Sequence, residues 1–131
     1  MSQPYESLNL VATTTGAKTA SFNSEFFKYV DYTVNACVIY IDVTAVSGTT
    51  PTLTAQLQSL DPASGKWINI TGAVTTTINS ISTVTLSVWQ WLTAVANSVV
   101  NAVLPNTLRL AYTIGWTTPS FTFTAGVTFT P

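Results

Sequence analysis

The strongest constraint on this chain is alternation. From Asn35 onward, Cys37, Ile39, Ile41, Val43 and Ala45 fall in one phase; further on, Leu53, Ala55 and Leu57 alternate with Thr52, Thr54, Gln56 and Gln58. Successive side chains of a strand point to opposite faces, so each run offers one apolar face to a core and a mostly polar face elsewhere. The continuous apolar stretch around Tyr40 suggests that the first run is covered on both faces for part of its length. Between the runs lies Ser47-Gly48-Thr49-Thr50-Pro51, with the Gly and Pro punctuation expected of a hairpin turn. The same grammar returns in Thr107–Ile114, Gly115-Trp116-Thr117-Thr118-Pro119 and Ser120–Ala125. Proline suits the first position of a strand, where its missing N–H is not needed. The sequence thus predicts two similar hairpins in one sandwich, the repeat being too short for a solenoid unit.

The remaining segments fit the same class. Leu8–Ala12 reads as a first strand stopped by Thr13-Thr14-Thr15-Gly16, and residues 1–7 as an arm or peripheral strand. Phe26–Val30 reads as an aromatic edge segment. Asp61-Pro62-Ala63-Ser64-Gly65-Lys66 is a turn opened by Asp and closed near a Gly. A short strand Trp67–Ile70 follows it, then a Thr-Gly break and the strands Val74–Ile78 and Thr83–Val88, the last with Val84, Leu86 and Val88 on one face. In the final run Phe121, Phe123, Val127 and Phe129 share a face. Residues 89–104 are ambiguous: Leu92, Val95, Ala96, Val99, Val100 and Val103 make a helical stripe, yet the β-branched Val and the Asn residues lower helix propensity. Either a short helix or an irregular strand or loop satisfies that segment, and Pro105 ends it. The expected fold is an all-β antiparallel sandwich, a jelly-roll being one way to dispose of its edges. Its division is an N-terminal arm or peripheral strand over residues 1–20 and a sandwich domain over 21–131.

Composition narrows what such a domain can do. Only 7% of the residues are charged, against about 25% in an ordinary soluble domain. Threonine fills the gap, with 25 copies; it suits a pleated, half-buried surface and keeps a face polar without charge. With a net charge of -1, a free monomer would have poor colloidal stability, so much of the surface is expected to serve in assembly, as a homo-oligomer or on a partner. Four scattered cations do not neutralise a run of phosphates, which argues against nucleic acid. No stretch approaches the ~20 apolar residues of a membrane helix, and Met1–Glu6 lacks the regions of a signal peptide. A cytoplasmic protein held there until it joins a partner is the expectation.

Chemistry is sparse. There is no histidine, which removes His-based acid/base catalysis and the commonest transition-metal ligand. The carboxylates show no spacing of a paired couple, and Asp61 with Ser64 and Gly65 lacks the further oxygens of a calcium loop. No catalytic, metal or cofactor residue is therefore expected. Cys37, in the most apolar run, reads as a small buried hydrophobe. The aromatics are the candidates that remain. Trp89 and Trp91 would share a face of a strand, where they fill the core, meet a neighbouring subunit or form a ligand platform. Trp116 sits in a predicted turn tip, and turn tips face solvent. Tyr5, in the N-terminal arm, completes the candidate interface residues Tyr5, Trp89, Trp91 and Trp116. Trp67 reads as structural, and Arg109 as an ion-pair former or a cap on backbone carbonyls.

Three segments also resemble a family of small structural proteins of tailed bacteriophages: Ile41–Thr54, Leu104-Pro105 with Leu108-Arg109-Leu110, and Thr117–Thr124. The likeness covers most of the chain from about Thr13 and consists of turns and strands; it departs at Leu108, where the family carries an aromatic. It implies a small β-sandwich coating the head or belonging to the tail. On that basis the expected function is a non-enzymatic capsid decoration or cement protein, on the capsid exterior of the virion, partnered by the major capsid protein and by its own copies. A tail or neck component, and a carbohydrate-binding or adhesin module, are the alternatives.

Overall fold

The computed structural model describes residues 7–11, 16–28 and 34–130. Strand is the only regular secondary structure among them, in the order β1 (Ser7–Val11), β2 (Phe22–Asn23), β3 (Phe27–Lys28), β4 (Ala36–Leu60), β5 (Trp67–Val74), β6 (Ser82–Trp89), β7 (Val99–Val100) and β8 (Thr107–Thr130). All belong to one sheet that curls around a single core, antiparallel except where β6 meets β7. The expected all-β class holds. Residues 89–104 contain no helix; they form turns, the short β7 and a small loop closed by the Val95–Val99 bridge. The Val-rich, Asn-containing composition prevails there over the helical spacing.

The largest difference from expectation lies at the two Thr-Thr-Pro segments. Neither is a hairpin turn. β4 and β8 are each one long strand, and they pair with each other from Ala36↔Thr130 to Ser59↔Leu108. The segments lie opposite one another, with Thr49↔Thr117 between the flanking pairs Ser47↔Ser120 and Thr52↔Gly115, and register shifts bracket them. Left-handed backbone occurs twice in each, at Gly48 (φ 115) and Thr50 (φ 48), and at Trp116 (φ 77) and Thr118 (φ 46). Bulges of this kind bend a strand and increase its twist, so two facing sets fold the long ribbon over the core instead of ending it. Gly48 is required at the bend: a Cβ there would stand 2.5 Å from the carbonyl oxygen of Thr118.

The outer segments follow the two long strands. β1, β2 and β3 run in order along the free edge of β8, and β5 and β6 along that of β4. Strand, connection and long strand therefore occur twice, with Thr49 and Thr117 where the two halves of the arrangement meet. Hydroxyls complete the ladder where register is lost. Ser24 Oγ accepts the Leu110 N–H (2.9 Å), Ser21 Oγ that of Ile114 (2.9 Å), and the buried Thr75 Oγ1 that of Ala55 (3.0 Å). Buried N–H groups left unpaired are costly, so these short side chains do structural work that charged ones could not. The expected strand at Val74–Ile78 is instead the end of β5 and an isolated bridge, Leu53↔Ile78, while β5 runs through the expected break at Thr71-Gly72. Gln56 Nε2 holds the irregular part, donating to the carbonyls of Ile70 and Ala73 at 3.0 and 3.1 Å.

The core follows the predicted alternation except at Ala45, which is exposed: the register shift after Val43 turns the phase over, and Val46, opposite Phe121, packs on the core instead. Ile39, Ile41, Leu53, Leu57, Leu110, Tyr112, Phe121 and Phe123 are all buried in one cluster. Phe22 stacks on Tyr112 at 4.6 Å between centroids, and Tyr112 lies 5.4 Å from Phe123. Cys37 is a free, buried thiol whose burial pushes its pKa up to about 12. Of the expected edge segment Phe26–Val30, Phe27 and Lys28 form β3, and residues 29–30 lie outside the described residues.

Candidate functional site

Among the described residues no group of His, Cys, Asp and Glu could hold a metal ion. Asp61 organises its turn: it accepts from the Ala63 N–H at 2.9 Å and from Ser64 Oγ at 2.8 Å. The Ser64 hydroxyl, then the Ala63 amide, hold its carboxyl below the usual range. Asp42 accepts from Thr83 Oγ1 on the neighbouring strand. Arg109 makes no ion pair among the described residues; its guanidinium lies 4.6 Å from the Trp67 ring and donates to Gln58 Oε1 at 2.8 Å. A cation over an indole face is attracted by the ring quadrupole, so Trp67 and Arg109 lock β5 to β8 across β4. The pairing spans 42 positions of sequence and was not readable from either residue's neighbours.

The other three tryptophans divide into two places. β6 ends at Trp89, which pairs with Ala36 at the beginning of β4. Gln90 and Trp91 are already in a turn, with Trp91 at φ 76, so the two indoles are not a strand-face pair. Trp89 is 42% exposed and Trp91 83% exposed, and Asn101 Oδ1 accepts the Trp91 backbone N–H at 3.0 Å, tying the turn to the far limb of the loop. Val95 and Val103 on the same excursion are also exposed. Trp116 lies at the bend, roughly 40 Å of β4 away from the Trp89 end. It is 72% exposed. Tyr5 lies outside the described residues.

The bend carries a groove. One concavity of about 590 Å³ is lined by Thr50, Pro51, Thr52, Asn79 and Trp116. A second, of about 510 Å³, is lined by Val46, Ser47, Gly48, Pro51, Asn79, Ser80 and Ile81. Pro51 and Asn79 line both, which sets the two concavities side by side along the 75–81 connection; the first, with Trp116 in its lining, is the trough at the bend. No charged residue lines it. The left-handed backbone at Trp116 costs a non-glycine residue about 1–2 kcal/mol, and at the matching position of the other strand the residue is Gly48. Of these lining residues, sequence reasoning singled out Trp116, from its turn-like context, as a candidate interface residue, and did not single out Asn79 or Ile81. Their signal was weak: an uncharged Asn-Ser-Ile-Ser connection gains meaning only beside the bend.

Compared with known protein families, with curated proteins and with solved structures, the chain matches none of them.

Proposed function

We propose that this protein is a non-enzymatic structural component of a tailed-bacteriophage virion, a decoration or cement protein that binds the outer surface of the head. The observation that carries the reading is the presentation of Trp91. It is a largely exposed indole on a turn whose backbone is tied down by Asn101, in an excursion that belongs to a stretch without charge from Trp67 to Leu108. Tryptophan anchors dominate protein interfaces when a partner desolvates them, and charge is depleted at interface centres. Trp89, Val95 and Val103 extend this apolar end. In this reading the two halves of the bent sheet are the faces of a sandwich that stands on the shell by its Trp89–Trp91 end. Each contact is small, and repetition over symmetric sites multiplies it. The resemblance in Ile41–Thr54 and Thr117–Thr124 supports the virion setting.

Electron microscopy of particles with and without the protein tests the reading. Density over the shell, loss of that density in a Trp91→Ser variant that still folds, and DNA release at lower temperature from particles lacking the protein are the expected results. Failure of particles to assemble without it would instead make it a shell or tail building block. Unchanged particle stability with lost adsorption to cells would favour an adhesin.

A further inference from the structure

We infer that the trough at the bend is a binding site for a neutral oligosaccharide, with Trp116 as its stacking platform. The inference does not rest on the virion reading and concerns the surface remote from Trp91. A pyranose ring presents an apolar C–H face and a rim of hydroxyls. It is held by an aromatic plane together with a few uncharged donors and acceptors, in the way small-ligand sites pair apolar area with placed polar groups. The trough offers that combination. The exposed Trp116 indole lines it together with Pro51, the hydroxyl-bearing Thr50 and Thr52, and the Asn79 carboxamide.

The polar groups are available. The side chains of Asn79, Thr50 and Thr52 have no hydrogen-bond partner among the described residues, unlike those of Ser21, Ser24, Gln56 and Thr75, which are taken up by backbone. A carboxamide offers both donors and acceptors, and a hydroxyl offers either, which suits vicinal sugar hydroxyls. The absence of charge in the lining sets the ligand class as neutral, since an acidic polymer would leave its charge unmet. A peptide fits less well. The β4 backbone beneath the trough is paired with β8 at Ser47, Thr49 and Thr52, so it offers no edge on that side, and one aromatic does not make the ridged groove that extended proline helices use. The position of Trp116 supports a function for it. A bulky residue kept in left-handed backbone, where the matching position on the other strand is glycine, is held against local stability, and such outliers concentrate at ligand sites.

Saturation-transfer NMR on the full chain, with neutral oligosaccharides of glucose, mannose, galactose and N-acetylglucosamine at millimolar concentration, tests this. At least one should bind, with equal affinity at low and high salt. Trp116→Ala should weaken it by about tenfold or more, Trp116→Phe by less, and Asn79→Ala by several-fold, whereas Trp91→Ala should leave it unchanged. Circular dichroism of each variant separates lost binding from lost fold, and Asn79→Ala, at an exposed position, keeps the test open if a Trp116 variant fails to fold. The inference is overturned if no neutral sugar binds, if binding survives both Trp116→Ala and Asn79→Ala, or if salt abolishes it. Displacement of the sugar by Trp91→Ala would overturn it as well, by placing the site at the other end.

Discussion

Replacing Gly48 by alanine tests the geometry of the bend directly. At φ 115 the new Cβ would meet the Thr118 carbonyl oxygen at 2.5 Å and both the Pro119 Cα and the Thr118 carbonyl carbon at 3.0 Å. All three are backbone atoms of the facing strand, so no side chain can swing aside and β8 itself must move. A non-glycine residue in such a conformation costs about 1–3 kcal/mol, and displacing packed neighbours about 1–3 kcal/mol more. The lower entropy of unfolded alanine returns about 0.4–1 kcal/mol. The expected net loss is therefore about 1–5.5 kcal/mol. Gly72→Ala is the matched control: its φ is 81 and a Cβ there meets nothing within 4 Å, so the backbone and entropy terms remain without the clash and about 1.5 kcal/mol or less should be lost. Urea unfolding followed by tryptophan fluorescence measures both, provided the slopes agree. Equal losses for the two variants, within about half a kcal/mol, would refute the close crossing of the Thr-Thr-Pro segments.

Further outcomes are expected elsewhere. Ile41→Ala and Phe121→Ala remove fully buried side chains and should each cost about 2–5 kcal/mol in the same assay; losses below half a kcal/mol at both would contradict their burial. Tyr112 Oη is buried without a hydrogen-bond partner among the described residues, and burial raises its pKa, so Tyr112→Phe should be neutral or stabilise by up to about 1 kcal/mol, and a clear loss would reveal a partner. Cys37, with its pKa pushed to about 12 by burial, should resist iodoacetamide in the folded protein at mildly alkaline pH and react on unfolding, as read by mass spectrometry. Its linkage has a definite sign: an unfolded thiol ionises first, so stability should fall as pH rises from the ordinary thiol range toward 12. Asp61 runs the other way, because its folded pKa is lowered. Its contribution is present above the ordinary carboxylate pKa and is lost as pH falls through the folded value, so Asp61→Asn should flatten the acid limb of a urea-midpoint profile.

The all-β class and most of the core were legible in local pattern alone. Alternation is a local property with period two, so Cys37, Ile39, Ile41 and Val43, and then Leu53, Ala55 and Leu57, identify the buried face whatever the strands pair with. What the sequence could not decide was whether Gly48-Thr49-Thr50-Pro51 and Trp116-Thr117-Thr118-Pro119 turn the chain back or bend it. Left-handed backbone followed by proline serves a hairpin tip and a bulge equally well, and the choice lies with partners 68 positions apart, as in Thr49↔Thr117. On β4 the buried phase flips after Val43, so that Val46 and not Ala45 meets the core, and has returned by Leu53; on β8 it changes parity from Ile114 to Phe121. Only the pairing of the two bulged segments absorbs that difference. The same long-range pairing brings Asn79 into one concavity with Trp116, and sets Trp91 beyond the end of β6 instead of on its face. Local periodicity fixes which side of a strand a residue occupies; where along the folded molecule that strand runs is set by contacts between distant segments, which only the tertiary structure supplies.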